Sequence, residues 1–178
     1  MALAAAPFGA RPRGGKQVGT IWGTLNGTHI AFGKGHPIYE VADGWMPLQD
    51  NTDTNQIGIV GFACNGLAAD TGGKLECWKA EPDNIFEMQS ATAASTWGTE
   101  AAACMACGDF VYGAVNATTG LSSTSITNTS ATTAHAPLVV RGYAQIPGND
   151  VNSATSYPVL LVSVSRLDAK GFQSIHTS

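Results

Sequence analysis

The sequence predicts an all-β fold, a compact β-barrel or sandwich with one short helix at about 97–107 and an extended N-terminal arm. Three observations carry this. Turn-forming residues recur at roughly the 8–12-residue spacing typical of sandwiches and barrels. Two long β-branched runs, Leu138–Ile146 and Tyr157–Leu167, are apolar on both faces, the pattern of strands buried on two sides. Gly (21) and Pro (8) supply many breaks, while the 44% hydrophobic content is enough for a core.

Residues 1–19 read as the arm. Pro7 and Pro12 each fix φ and remove a donor, and Gly9, Gly14, Gly15 and Gly19 oppose a helix. The domain proper is expected over 20–178. Thr20–Leu25 and His29–Phe32 flank Asn26-Gly27, a strong hairpin signal. His36–Val41 is the next strand, and Asp43-Gly44 turns the chain into Trp45–Leu48. Ile57–Ala63 alternates Ile57, Ile59 and Gly61 against Gly58, Val60 and Phe62. Lys74–Lys79 and Ile85–Gln89 follow as strands. The Ala-rich stretch Trp97–Cys107, capped by Ser95 or Thr96 and stopped by Gly108, reads as the helix. Phe110–Val115 and the two long runs complete the strands, with Pro137 and Pro158 at the entries of the latter. In Asn116–Thr133, eleven of eighteen residues are Ser or Thr. That stretch reads equally as a loop or as an exposed β excursion lying on a partner.

Net charge is −4 but unevenly spread. Residues 1–39 hold Arg11, Arg13, Lys16 and Lys34 and no acid; the remainder holds five basic and thirteen acidic residues. A basic arm thus precedes an acidic body, with no broad basic face for nucleic acid. No run approaches the ~20 apolar residues of a membrane span. The start, Met1-Ala-Leu-Ala-Ala-Ala-Pro-Phe, has no basic segment before its apolar run, so a signal peptide is not expected and assembly is placed in a reducing cytoplasm.

A search for chemistry returns little. Cys64, Cys77, Cys104 and Cys107 include one C-x-x-C, where a structural zinc usually takes two, so no metal is expected. His29, His36, His135 and His176 show no H-E-x-x-H or i, i+4 pairing. Gly33-Lys34-Gly35 and Gly72-Gly73-Lys74 both lack the G-K-[ST] of a phosphate loop, and no G-x-S-x-G elbow occurs. Glu81 and Asp83 around Pro82 read as turn-stabilising acids rather than a catalytic or calcium pair. The expectation is a non-enzymatic protein without cofactor.

Five stretches, in order over residues 35–167, resemble a family. They are Gly35-His-Pro-Ile-Tyr-Glu-Val-Ala-Asp-Gly-Trp-Met-Pro, Ile57-Gly-Ile-Val-Gly-Phe-Ala, and Trp78-Lys-Ala-Glu-Pro-Asp-Asn-Ile-Phe-Glu-Met-Gln. Then come Asn116-Ala-Thr-Thr-Gly-Leu-Ser with Leu138-Val-Val-Arg-Gly-Tyr-Ala-Gln-Ile-Pro-Gly-Asn-Asp, and Val159-Leu-Leu-Val-Ser-Val-Ser-Arg-Leu. Together they are similar to the capsid decoration, or cement, proteins of tailed bacteriophages. The third is the most specific, a turn delivering a strand that ends Phe-Glu-x-Gln. This sequence departs from the family in a short loop after Cys64 and in Ser165, where Asn is usual.

The resemblance implies a virion protein on the outer capsid surface, bridging major capsid subunits and meeting other copies of itself around the symmetry axes. Phe8 would then anchor the arm in a shell pocket, with Arg11, Arg13 and Lys16 facing capsid acids. The alternative is a tail or head-fibre module binding host glycan, for which Trp22, Trp45, Trp78 and Trp97 are the candidate stacking rings.

Overall fold

A computed structural model describes residues 6–13, 17–49, 58–97, 107–129, 137–149 and 156–165. Among them the fold is all-β, and it is both barrel and sandwich. Five strands, β2 (Thr20–Leu25), β3 (Pro37–Val41), β4 (Gly44–Pro47), β5 (Ile59–Ala63) and β6 (Gly73–Lys79), close a barrel in the order β2-β4-β3-β5-β6. The other six form one antiparallel sheet. They are β1 (Arg11–Pro12), β7 (Phe86–Gln89), β8 (Cys107–Val111), β9 (Ser125–Thr129), β10 (Leu138–Tyr143) and β11 (Val159–Val164), in the order β1-β7-β11-β10-β8-β9. The two most β-branched strands, β10 and β11, lie at its centre, as their two-sided apolar pattern requires.

Two cores follow from this arrangement. Leu25, Phe32, Ile38, Trp45, Val60, Ala63, Leu75 and Cys77 fill the barrel. A larger core joins barrel to sheet, bringing Tyr39, Ile59 and Phe62 against Phe86, Met88, Phe110, Leu160 and Val162. Phe62 meets Phe86 edge-on at 4.6 Å between ring centroids. Strict alternation cannot place both Ile59 and Phe62 on one core and both Val60 and Ala63 on the other. A register shift opposite Ile38–Tyr39 does so, because a bulge flips the side-chain phase within β5. The strictly alternating pattern read along 57–63 is corrected accordingly.

The hairpin expected at Asn26-Gly27 does not form. Instead β2 pairs with β6 over its whole length and touches β4 at Leu25–Trp45. Asn26 Oδ1 accepts the Thr28 N–H at 2.9 Å, an Asx turn that redirects the chain. Residues 29–32 make one bridge, Phe32 to Leu67, and the buried His29 ring meets the Ile30 and Thr71 carbonyl oxygens at 2.8 and 3.0 Å. Side-chain bonding to nearby backbone thus displaces the ladder.

Of the helix expected at 97–107, residues 98–106 lie outside the described residues. Trp97 closes a 3-10 turn at Ala94–Thr96, and Cys107 opens β8 rather than ending a helix. No helix among the described residues is long and apolar enough to cross a membrane. The Ser/Thr-rich stretch divides into an exposed turn at residues 116–120 and a part folded into the body of the protein. Ser122 and Thr124 are fully buried, and β9 pairs with β8 from Ser125 to Thr129; residues 130–133 lie outside the described residues.

Closing so small a barrel needs bare strand positions, of which Gly23 is one. A Cβ on Gly23 would lie 2.1 Å from the ring of the buried Trp45. Gly23→Ala is therefore expected to destabilise the fold by about 1–3 kcal/mol through overpacking, read as a lower urea midpoint at unchanged slope.

Candidate functional site

The expected arm is not independent of the body. Its described residues form a strap laid over it, for which three reasons are visible. The edge of β7 is open, and Arg11–Pro12 pair with Glu87–Phe86 to cover it, Pro12 being tolerated because an edge strand can spare a donor. The back of β11 is apolar, and Phe8 and Ile85 pack with Ala144, Val159 and Leu161 there. Small residues allow close approach, so Ala10 and Val18 reach the main core.

Polar groups on β7 hold the strap. Phe86 and Met88 point into the core, while the alternate residues point at the strap. Glu87 accepts from Arg11 Nε at 2.9 Å, and Gln89 Oε1 accepts the Ala6 N–H at 2.7 Å. The Phe-Glu-x-Gln stretch singled out in the sequence thus has a physical role. Its apolar residues build the core and its polar residues tie down the N-terminus.

Next the strap crosses the 33–36 turn. The Ala10 N–H donates to the Gly35 carbonyl at 2.8 Å, and the Gly35 N–H to that of Ala63 at 2.8 Å. Both crossing residues have left-handed φ, +70° at Gly9 and +84° at Gly35. A Cβ on Gly35 would lie 2.5 Å from the Ala10 carbonyl oxygen, so only glycine fits on conformation and space together.

Beneath this turn lies a buried polar chain. The His36 Nε2–H donates to the Leu48 carbonyl at 2.8 Å, which fixes the tautomer and leaves Nδ1 an acceptor facing the hydroxyls of Ser122 and Thr124 at 2.9 and 3.3 Å. Thr124 Oγ1 lies 2.9 Å from Ser122 Oγ and its N–H donates there at 3.1 Å. A hydroxyl beside an imidazole suggests a nucleophile and base. Here, however, His36, Ser122 and Thr124 are all fully buried, and the third position is a backbone carbonyl. What the chain does is position. It holds the Lys34 segment against Leu121, where Ser122 N–H donates to the Lys34 carbonyl and Lys34 N–H to that of Gly120. Asn116 Oδ1, accepting from the Thr118 and Thr119 amides, shapes the turn that delivers Leu121.

The result is a cleft of about 320 Å³ lined by Phe8, Ala10, Arg11, Pro12, Lys34, Trp78 and Leu121. Its floor is apolar and each aromatic ring carries a cation. Arg11 lies 4.2 Å over Phe8, and Lys34 Nζ lies 5.3 Å from the Trp78 ring centre. Outside it, Trp22 is 63% exposed. Thr20 pairs with Trp78 and Trp22 with Glu76, so Trp22 and Trp78 share the outer face of β2 and β6.

Of the four sequence-proposed contact residues, Phe8 and Arg11 line this cleft. Arg13 is exposed and its N–H donates to the Ile85 carbonyl, and Lys16 lies outside the described residues. Lys34 and Leu121 were not expected there; a cation bracketed by glycines at Gly33-Lys34-Gly35 was the available signal. Trp45 and Trp97 are buried, Trp97 donating Nε1–H to Ser90 Oγ at 2.7 Å, so neither can stack on a ligand. Burial pushes the Cys64 thiol up to about 11 and raises that of Cys77 further, so both thiols are protonated at neutral pH. Among the described residues no group of three or more His, Cys, Asp or Glu is placed to hold a metal. Cys104 lies outside them.

The chain matches no protein-family model, no curated protein and no solved structure.

Two outcomes follow from this geometry. Burial, opposed by the Leu48 hydrogen bond, lowers His36 from 6.5 to about 4, so the fold holds the ring neutral. The unfolded chain binds the extra proton between those values. This contribution is therefore complete above pH 6.5 and is lost as pH falls towards 4, roughly 3 kcal/mol in all. Urea titrations across that range should show the loss. His36→Gln, less stable at neutral pH, should lack this part of the slope. Separately, Gly35→Ala should destabilise the protein by about 1–3 kcal/mol and speed hydrogen exchange at the Ala10 amide, reporting release of the strap.

Proposed function

We propose that this protein is a structural component of a tailed-phage particle, decorating the outer capsid surface and bridging neighbouring major capsid subunits, with other copies of itself as further neighbours. On this reading it is assembled in the host cytoplasm and carries out no catalysis. The observation that carries the reading is the outer face of β2 and β6. It presents an exposed Trp22 beside half-buried Trp78 and a cleft edged by Lys34 and Arg11. An exposed tryptophan beside apolar surface, with basic residues at the rim, has the anatomy of an adhesive patch. The ordered motif resemblance over 35–167 points the same way, and its Gly35, Trp78, Glu87 and Leu121 all lie at this cleft or hold its strap. A pressurised shell gains from such a part, since weak patches repeated over many symmetric sites add up.

A second reading is favoured by one specific observation. Trp22, at 63% exposure, also offers a stacking face to a host glycan, as a tail or head-fibre module would need. Copy number separates the two, on the order of hundreds per particle for decoration and far fewer for a tail part.

Point substitution tests the proposal better than truncation, because removing the strap uncovers Val159 and Leu161 and weakens the fold itself. Trp22→Ala should leave the melting temperature near that of the parent while lowering affinity for empty shells by about 2 kcal/mol, roughly thirtyfold. Undiminished shell occupancy with loss of glycan-array binding would favour the second reading.

A further inference from the structure

The cleft has a chemistry more specific than adhesion. Both of its cations are held by ring faces rather than left to wander, Arg11 over Phe8 and Lys34 over Trp78. Lys34 is exposed, and among the described residues no carboxylate lies within ion-pair distance of it. Arg11 meets Glu87 through Nε, one of five donors on the guanidinium. Ala10, Pro12 and Leu121 complete the lining with the two rings, and no acidic residue lies in it. The cleft therefore offers positive charge, pre-positioned over an apolar surface, and little hydrogen-bonding variety.

We propose that it receives a carboxylate side chain, flanked by an aliphatic one, from an extended acidic peptide segment of the protein's partner. This deepens the shell-decorating reading and rests on it. A peptide fits better than a saccharide for two reasons. Each ring in the cleft already carries a cation, so the bare stacking face lies outside, at Trp22. The volume of about 320 Å³ sits at the small end of ligand sites and suits a pair of side chains. Arg11–Pro12 is also the edge strand of the sheet, where an extended segment can approach. Lys34, with the guanidinium donors that Glu87 leaves open on Arg11, can give a carboxylate charge-assisted hydrogen bonds, and the aliphatic neighbour covers Leu121.

The test follows the Trp78 indole N–H by NMR in the full chain, assigned through Trp78→Phe, while blocked peptides are added. The probes are acetyl-Leu-Asp-Leu-amide and its Asn counterpart, with glucuronate as a saccharide carboxylate. The Asp peptide should shift the indole saturably, about tenfold more tightly than the Asn peptide. Lys34→Met should weaken it by a similar factor, and added salt should weaken it in the parent. No saturation, equal response to the Asn peptide, or glucuronate matching the Asp peptide would each overturn the inference. So would a shift that grows with protein concentration and that the Asp peptide cannot displace, since the occupant would then be a second copy. The two levels fail separately. Lys34→Met protein that binds shells with undiminished affinity would sink the cleft proposal alone, and peptide binding by protein that never decorates shells would sink the capsid reading alone.

Discussion

The arrangement turns on one close crossing of backbone, the strap at Gly9–Ala10 over the turn at Gly35. Hydrogen bonds from Ala10 to Gly35 and from Gly35 to Ala63 run through it in sequence, linking strap, turn and β5. At such a separation no side chain fits between the chains, and both glycines adopt φ values that L side chains rarely take. Everything peripheral depends on that contact. The crossing sets Ala10 into the core, lays Phe8 on the back of β11 and brings Arg11 opposite Glu87.

A second constraint operates directly beneath. Barrel and sheet share a large apolar core, which fixes their separation but says little about register along the seam. The His36–Ser122–Thr124 chain supplies the missing information, because buried polar groups accept few arrangements. It ties the barrel, through Leu48 and the turn before β3, to the segment leading into β9. That a neutral ring is required makes the seam acid-sensitive while the apolar core on either side is not.

Much of the architecture was legible in the sequence. The β2, β3, β4, β6 and β7 segments, the turn at Asp43-Gly44 and the centrality of β10 and β11 all follow from turn chemistry and apolar runs. Failures came where a local rule lost to a distant partner. Asn26-Gly27 signals a hairpin, yet β2 found its ladder with β6, some fifty residues on, and His29 satisfied the intervening backbone. The strap looked free because Pro and Gly forbid a regular element, but they do not forbid docking, and nothing local announces that Glu87 and Gln89 await it. The cleft was half visible. Phe8 and Arg11 could be named from the strap's own composition, whereas Lys34, Trp78 and Leu121 join it only through long-range topology.

The placement of the strap also bears on the order of folding. Its partners lie progressively further along the chain, at Gly35, Ile85–Gln89 and Leu121, and in the Ala144, Val159 and Leu161 cluster. Each of those contacts closes a longer loop than the last, and loop closure is what slows non-local β pairing. The barrel, whose strands lie within residues 20–79, can assemble while the rest of the chain is still being made. Full docking of the strap must wait for β11, far along the chain. The cleft, lined by strap residues together with Lys34, Trp78 and Leu121, is thus completed only after these long-range contacts have closed, and a partly folded chain lacks it.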